Sequence, residues 1–143
     1  MTDLCVEEAA EPVRQLRERG LDTVFLAAPT STGSRLRLIS EYSSGFIYLV
    51  SRTGVTGEQT SISKAAAPLV DRMRALTDLP LAMGFGVGTP EQVAEVARLT
   101  DGVVVGSAIV RFIEENASSP DLAGALEQFT RHLSAPLCGR RKL

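Results

Sequence analysis

The stretch that most constrains this chain is Phe46 to Gly57, FIYLVSRTGVTG. Its first half is apolar at nearly every position, so both faces of the strand it predicts must be covered, as in a parallel sheet. Its second half places Gly54 and Gly57 among Ser51, Thr53 and Thr56. That composition predicts a loop whose glycines let a ligand approach the main chain. Gly84-Phe85-Gly86 and Gly106-Ser107 repeat the form: an apolar run, then glycine. Three such places in 143 residues predict parallel strands whose C-terminal ends converge on one small anion.

The elements between them support this order. Val6, Ala9, Ala10, Val13 and Leu16 make a helical stripe ending near Gly20, with Pro12 awkward inside it. Thr23 to Ala28 predicts a strand, and Pro29 to Thr32 a turn and cap before a helix whose inner face is Leu36 and Ile39. Ile62, Ala66, Leu69, Val70, Met73 and Leu76 give the next helix, and Leu79 to Met83 the next strand. Thr89-Pro90-Glu91-Gln92 is a helix start with a capping box and proline at the first position. Gly102 to Val105 predicts a strand, Ser107 the cap of a short helix, and Ser119-Pro120 the start of the last helix.

Strand starts near 23, 46, 79 and 102 give a repeat of about 22 to 34 residues, the size of one strand–helix unit. Right-handed crossovers then make every strand parallel. A flavodoxin-like sheet satisfies this pattern. Short strands and a short helix after Gly106-Ser107 favour a β/α barrel, where a phosphate site at the last strands is commonly completed by such a helix. A full barrel takes about 250 residues. The expectation is therefore a partial (β/α)8 TIM barrel in one domain, residues 1–143, with binding loops at 51–57, 84–88 and 106–108. Four strands leave two open edges; the chain is then a piece of a larger barrel, one of two associated copies, or an open sheet.

Composition removes other classes. A net charge of −2 gives no nucleic-acid footprint, and Arg140-Arg141-Lys142 predicts a solvated tail. No apolar run reaches membrane-spanning length, no signal pattern opens the chain, and a cytoplasmic protein is the default expectation. Cys5 and Cys138 have no metal-ligand spacing, and the sole histidine, His132, predicts a surface position. No paired carboxylates stand out for acid–base work, and Asp22, Asp78 and Asp101 fall on the N-terminal side of strands. Gly57, Gly86, Gly106 and Ser107 are the phosphate candidates, since phosphate takes several backbone N–H donors and benefits from a helix N-terminus. The competing role for these glycines is simply to tighten turns. Tyr48 either points into the barrel mouth, where a phenol seeks a partner, or packs with its hydroxyl at the surface. Phe85 either stacks on an aromatic ligand or plugs the sheet. Arg52 and Thr56 lie on the loop.

These residues resemble a known family. FIYLVSRTGVTG is similar to the sixth strand and following loop of the alpha subunit of tryptophan synthase; GFGVGTPEQV resembles its seventh-strand phosphate loop, and GVVVGSAIVRFIEEN its eighth strand and phosphate helix. Asp3-Leu4 with Val6-Glu7-Glu8 resembles the end of its fourth strand, with Cys5 in place of the usual proline; Phe46 stands where many members have tyrosine. The resemblance covers nearly the whole chain and implies the last four strand–helix units. It implies aldol-type cleavage of indole-3-glycerol phosphate to indole and glyceraldehyde 3-phosphate, in tryptophan biosynthesis. It implies no cofactor of the chain's own, and a pyridoxal-phosphate beta subunit as partner in an alpha2-beta2 tetramer. By the same resemblance Gly57, Gly86, Gly106 and Ser107 hold the phosphate and Phe85 lines the indole pocket. Tyr48 bonds the catalytic aspartate, and Thr56 meets that aspartate when the loop closes. The family's catalytic glutamate and aspartate belong to the barrel's first half. The expectation is that this chain lacks both and is inactive alone, either as an incomplete enzyme or as a complementing phosphate-binding half-barrel. Another phosphosugar lyase or isomerase of barrel type is the second alternative; Lys64, the only interior lysine, lies on an outer helix and does not serve it.

Overall fold

The computed structural model describes residues 4–50, 62–84 and 86–138, side chains of 62–65 excepted. Its centre is a four-stranded sheet in the order β1-β2-β3-β4: Leu26–Ala27, Ile47–Val50, Leu81–Gly84 and Gly102–Val103. Every neighbouring pair is parallel, with Leu26 opposite Tyr48, Val50 opposite Gly84, and Ala82 opposite Gly102. The order follows the chain without reversal, so the flavodoxin-like alternative fails and the topology is that of a partial barrel.

The helices are α1 (Ala10–Glu18), α2 (Gly33–Tyr42), α3 (Ile62–Arg74), α4 (Pro90–Ala97), α5 (Ser107–Glu115) and α6 (Leu122–Ser134), with 3-10 turns at Val6–Glu8 and Ala135–Leu137. One face of the sheet carries Phe25, Ala27, Ile47, Leu49, Leu81 and Met83, all buried, against Val13, Leu36, Ile39, Leu69, Met73, Val93 and Val96 from the helices. The opposite face carries Leu26, Tyr48, Val50 and Ala82, which stay half-buried. No helix among the described residues is long and apolar enough to cross a membrane.

Several local expectations change. The first helix is split: a 3-10 turn precedes α1, which places Pro12 in the first turn of α1. Amides there have no partner within the helix, so the proline costs no bond. Pro68 does lie inside α3, where it cannot donate to the carbonyl four residues back. The β1 ladder is shorter than the predicted 23–28 because two of the early amides turn to side chains. Thr23 N–H donates to Ser44 Oγ at 3.0 Å, Phe25 N–H to Ser43 Oγ at 3.4 Å, and Thr23 Oγ1 donates to the Tyr42 carbonyl. Asp121, not Ser119, caps α6, with Oδ1 accepting from Gly124 N–H at 3.0 Å. His132 is exposed on α6 as predicted.

Asp101 fastens the N-terminal side of the sheet. Its Oδ2 accepts from Leu81 N–H at 2.8 Å and pairs with the Arg74 guanidinium, joining β4, β3 and α3. Desolvation by partial burial opposes its ionisation. The Leu81 amide and Arg74 more than offset this and hold its carboxyl below the usual 3.8. A depressed folded pKa contributes stability above the unfolded value and loses it as pH falls through the folded one. Asp101→Asn, which keeps an acceptor for Leu81, is therefore expected to lose about 1 kcal/mol at neutral pH, a figure held down by the pair's exposure. The gap from wild type should narrow in urea melts as pH falls below the usual carboxylate pKa and close once pH is below the depressed folded one. A gap that persists unchanged in acid would show that the charge is not what Asp101 contributes.

Candidate functional site

The C-terminal ends of β3 and β4 form one rim of the sheet. β3 does not stop before its glycine: Gly84 is its last residue and is buried. A Cβ built there would sit 2.5 Å from Tyr48 Oη, 2.9 Å from Val104 Cβ and 2.9 Å from the Val104 carbonyl oxygen. Gly84 is therefore the floor on which the Tyr48 phenol lies. The hydroxyl of Tyr48 is placed across β3, on the face away from the helices, and not at the outer surface. Gly86, two residues on, has φ +79° with open space around it, so glycine is required there by the backbone and not by packing. Val87 then turns back into the core, 3% exposed.

The two described binding loops meet. A Cβ on Gly88 would lie 3.2 Å from Ala108 Cβ, so segments 84–88 and 106–108 are neighbours at the rim. Their helix ends differ in what they offer. At α4 the capping box predicted from Thr89 and Gln92 is present. Gln92 Oε1 accepts from Gly88 N–H at 2.8 Å and from Thr89 N–H at 3.2 Å, while Thr89 Oγ1 accepts from Gln92 N–H at 3.3 Å. Pro90 has no amide to give, and the adjoining carboxylate, Glu91, is held below its usual pKa by its own backbone N–H and the Thr89 hydroxyl. This end is already supplied with acceptors and negative charge. The α5 end is bare. Its cap is Gly106 and not Ser107, as had been expected; no side chain caps it, and its first turn has no acidic residue. Ile109 and Val110 donate to the Gly106 carbonyl, whereas the amides of Ser107 and Ala108 have no acceptor among the described residues. Free amides at a helix N-terminus, where the dipole is positive, are suited to an anion.

Of the predicted residues, Tyr48, Gly86, Gly106 and Ser107 are thus on the described rim; Thr56, Gly57 and Phe85, with Arg52, lie outside the described residues. Sequence reasoning placed Gly84 in a loop and missed its part beneath Tyr48. The cross-strand register that pairs Val50 with Gly84 sends Gly84 to the same face as Tyr48, and no local signal in the sequence marks it. A separate cavity of about 430 Å³ opens at the end of β1, lined by Glu7, Phe25, Ala28, Thr30, Thr32 and Arg35, and includes none of the predicted site residues. Its arginine is already engaged, 3.5 Å from Glu7 and 3.5 Å from Cys5 Sγ. Among the described residues no group of three metal-binding side chains occurs.

A parallel α/β sheet of barrel-like order, with glycine turns gathered where consecutive strands end, defines the class: a partial barrel with its candidate site at the C-terminal rim. A family model described as Tryptophan synthase alpha chain matches residues 1–135. Among curated relatives named Tryptophan synthase alpha chain, that of Solibacter usitatus is 59% identical over 133 residues, which is 93% of this chain and 50% of the relative. That of Zymomonas mobilis is 43% identical over 141 residues, 98% of this chain and 52% of the relative. Solved structures agree. Tryptophan synthase of Mycobacterium tuberculosis superposes with a TM-score of 0.79 at 39% identity over 94% of this chain and 49% of that one. The tryptophan synthase a2b2 complex of Pyrococcus furiosus gives 0.79 at 38% over 93% and 53%. The chain belongs to the tryptophan synthase alpha chain family, a lyase family of tryptophan biosynthesis, and spans about half the length of the relatives it matches.

Proposed function

We propose that this chain is the phosphate-binding half of a tryptophan synthase alpha barrel, its last four strand–helix units. In this reading it takes part in the cleavage of indole-3-glycerol phosphate to indole and glyceraldehyde 3-phosphate. The observation that carries the reading is the meeting of segments 84–88 and 106–108 beside an uncapped α5. The phosphate is held by the amides of Gly86, Gly106 and Ser107, with the Ser107 hydroxyl and Gly57 completing the shell. Phe85 borders the indole, and Tyr48 and Thr56 orient the catalytic aspartate. The cleavage requires a proton delivered to the indole ring and another removed from the glycerol hydroxyl. In this proposal the two carboxyl groups for those transfers come from the barrel's other half, as do most contacts with a beta subunit, which would consume the indole.

Two measurements test this. Glycerol 3-phosphate, titrated into the chain, is expected to shift the backbone amide resonances of Gly86, Gly106 and Ser107 in NMR spectra. Shifts confined to other residues would remove the phosphate assignment. In a colorimetric indole assay the chain alone is expected to give no turnover, and indole should appear only after a separately expressed first half of a full-length relative is added. Turnover by the clean chain alone would sink the division of labour while leaving the phosphate site intact.

A further inference from the structure

We propose that Gln92 is a positioning residue of the phosphate cradle: its side-chain oxygen holds the amides of Gly88 and Thr89 and so sets where segment 84–88 meets the start of α5. The role rests on the assignment of the phosphate to Gly86, Gly106 and Ser107, and Gln92 acts on those donors only through the backbone. From Gly88 to Val93 every amide hydrogen is committed. Gly88 and Thr89 donate to Gln92 Oε1 at 2.8 and 3.2 Å, and Glu91 donates to its own carboxylate. Gln92 donates to Thr89 Oγ1 at 3.3 Å and Val93 to the Thr89 carbonyl at 3.0 Å, while Pro90 has no amide hydrogen. The amides of Gly86 and Val87 have no acceptor among the described residues. An anion at this rim therefore meets free donors ahead of Gly88 and at Ser107 and Ala108, and none at the α4 end.

Segment 84–88 is thus held from two directions. On one side Gly84 is paired in β3 and Val87 is buried in the core. On the other side Gln92 draws in the Gly88 amide from α4, a helix seated in the core by Val93 and Val96. Gly88 held this way lies against α5 with little slack, since a Cβ there would be 3.2 Å from Ala108 Cβ. An anion shared by amides of two segments is sensitive to their separation, because a hydrogen bond weakens beyond about 3.2 Å. Losing the Gln92 acceptor releases the one side-chain hold on this segment that comes from α4.

The test is a titration of glycerol 3-phosphate into the full chain, with affinity read from the Gly86, Gly106 and Ser107 amide resonances. Gln92→Met keeps the side-chain length without the amide oxygen. It is expected to bind about tenfold more weakly, the loss of roughly one hydrogen bond, with faster hydrogen exchange at Gly88 and Thr89. Gln92→Glu keeps the acceptor and adds a charge that salt screens. At raised salt its affinity should return to within about twofold of wild type at the same salt, whereas Gln92→Met should not recover. Asp121→Ala is the control, removing the side-chain cap of α6, whose Oδ1 accepts from Gly124 N–H at 3.0 Å. It should lower the urea midpoint much as Gln92→Met does and leave the affinity within about twofold of wild type. Wild-type affinity in Gln92→Met overturns the role of Gln92 and leaves the phosphate assignment standing. Equal weakening by Asp121→Ala overturns it as well, as does a Gln92→Glu variant that stays as weak as Gln92→Met in salt. A wild-type titration that moves none of the three amides removes the phosphate assignment, and the role of Gln92 with it.

Discussion

Gly84→Ala is expected to destabilise the chain by about 2–3 kcal/mol, as overpacking of a well-filled site does. The added methyl would stand 2.5 Å from Tyr48 Oη and 2.9 Å from the Val104 carbonyl. A flexible side chain could yield, but the carbonyl belongs to a strand backbone and the phenol ring is held on the same face. The conflict has a signature that simple loss of packing lacks. Tyr48→Phe removes the oxygen that would be struck and should cost little alone, because the phenol is only half-buried. In the Gly84→Ala background the same change should recover about 1 kcal/mol, leaving the Val104 contact as the remainder. Urea denaturation of the two single variants and the double variant measures the coupling. Strict additivity would mean that the hydroxyl does not lie over Gly84.

Leu49→Ala is expected to cost more, about 3 kcal/mol, since Leu49 is fully buried between the sheet and its helices and its truncation leaves a cavity. A chain of this size is commonly stable by only about 5–15 kcal/mol, so the urea midpoint should fall steeply. Leu21→Ala is the control. Leu21 is 53% exposed before β1, and its loss should stay within about 0.5 kcal/mol. Equal effects at the two positions would contradict the assignment of the helix-facing side as the core.

The cost at Leu49 is legible in the sequence; the cost at Gly84 is not. The run from Phe46 to Val50 announces a covered strand by its composition. Gly84 looked like the start of a loop because glycine is the usual marker of one, and only its pairing with Val50 places it under Tyr48. The same division holds at the helix ends. Thr89, Pro90 and Gln92 lie within one turn of each other, so the capping box could be read directly and is present. At α5 the nearest hydroxyl, Ser107, suggested a cap, but the chain enters the helix one residue earlier, at Gly106, and leaves that end open. Asp101 was placed at the N-terminal side of its strand correctly, yet its bonds to Leu81 and Arg74 join segments far apart in the chain.

The order of strands and helices along the chain and their parallel sense were therefore set by the sequence itself. Each depends on hydrophobic period and turn chemistry among residues a few positions apart. Strand order without reversal, the seat of the Tyr48 hydroxyl on Gly84, and the meeting of Gly88 with Ala108 were decided by tertiary structure alone. They arise where separate strand–helix units stack side by side, and contacts between units carry no periodic trace in either one.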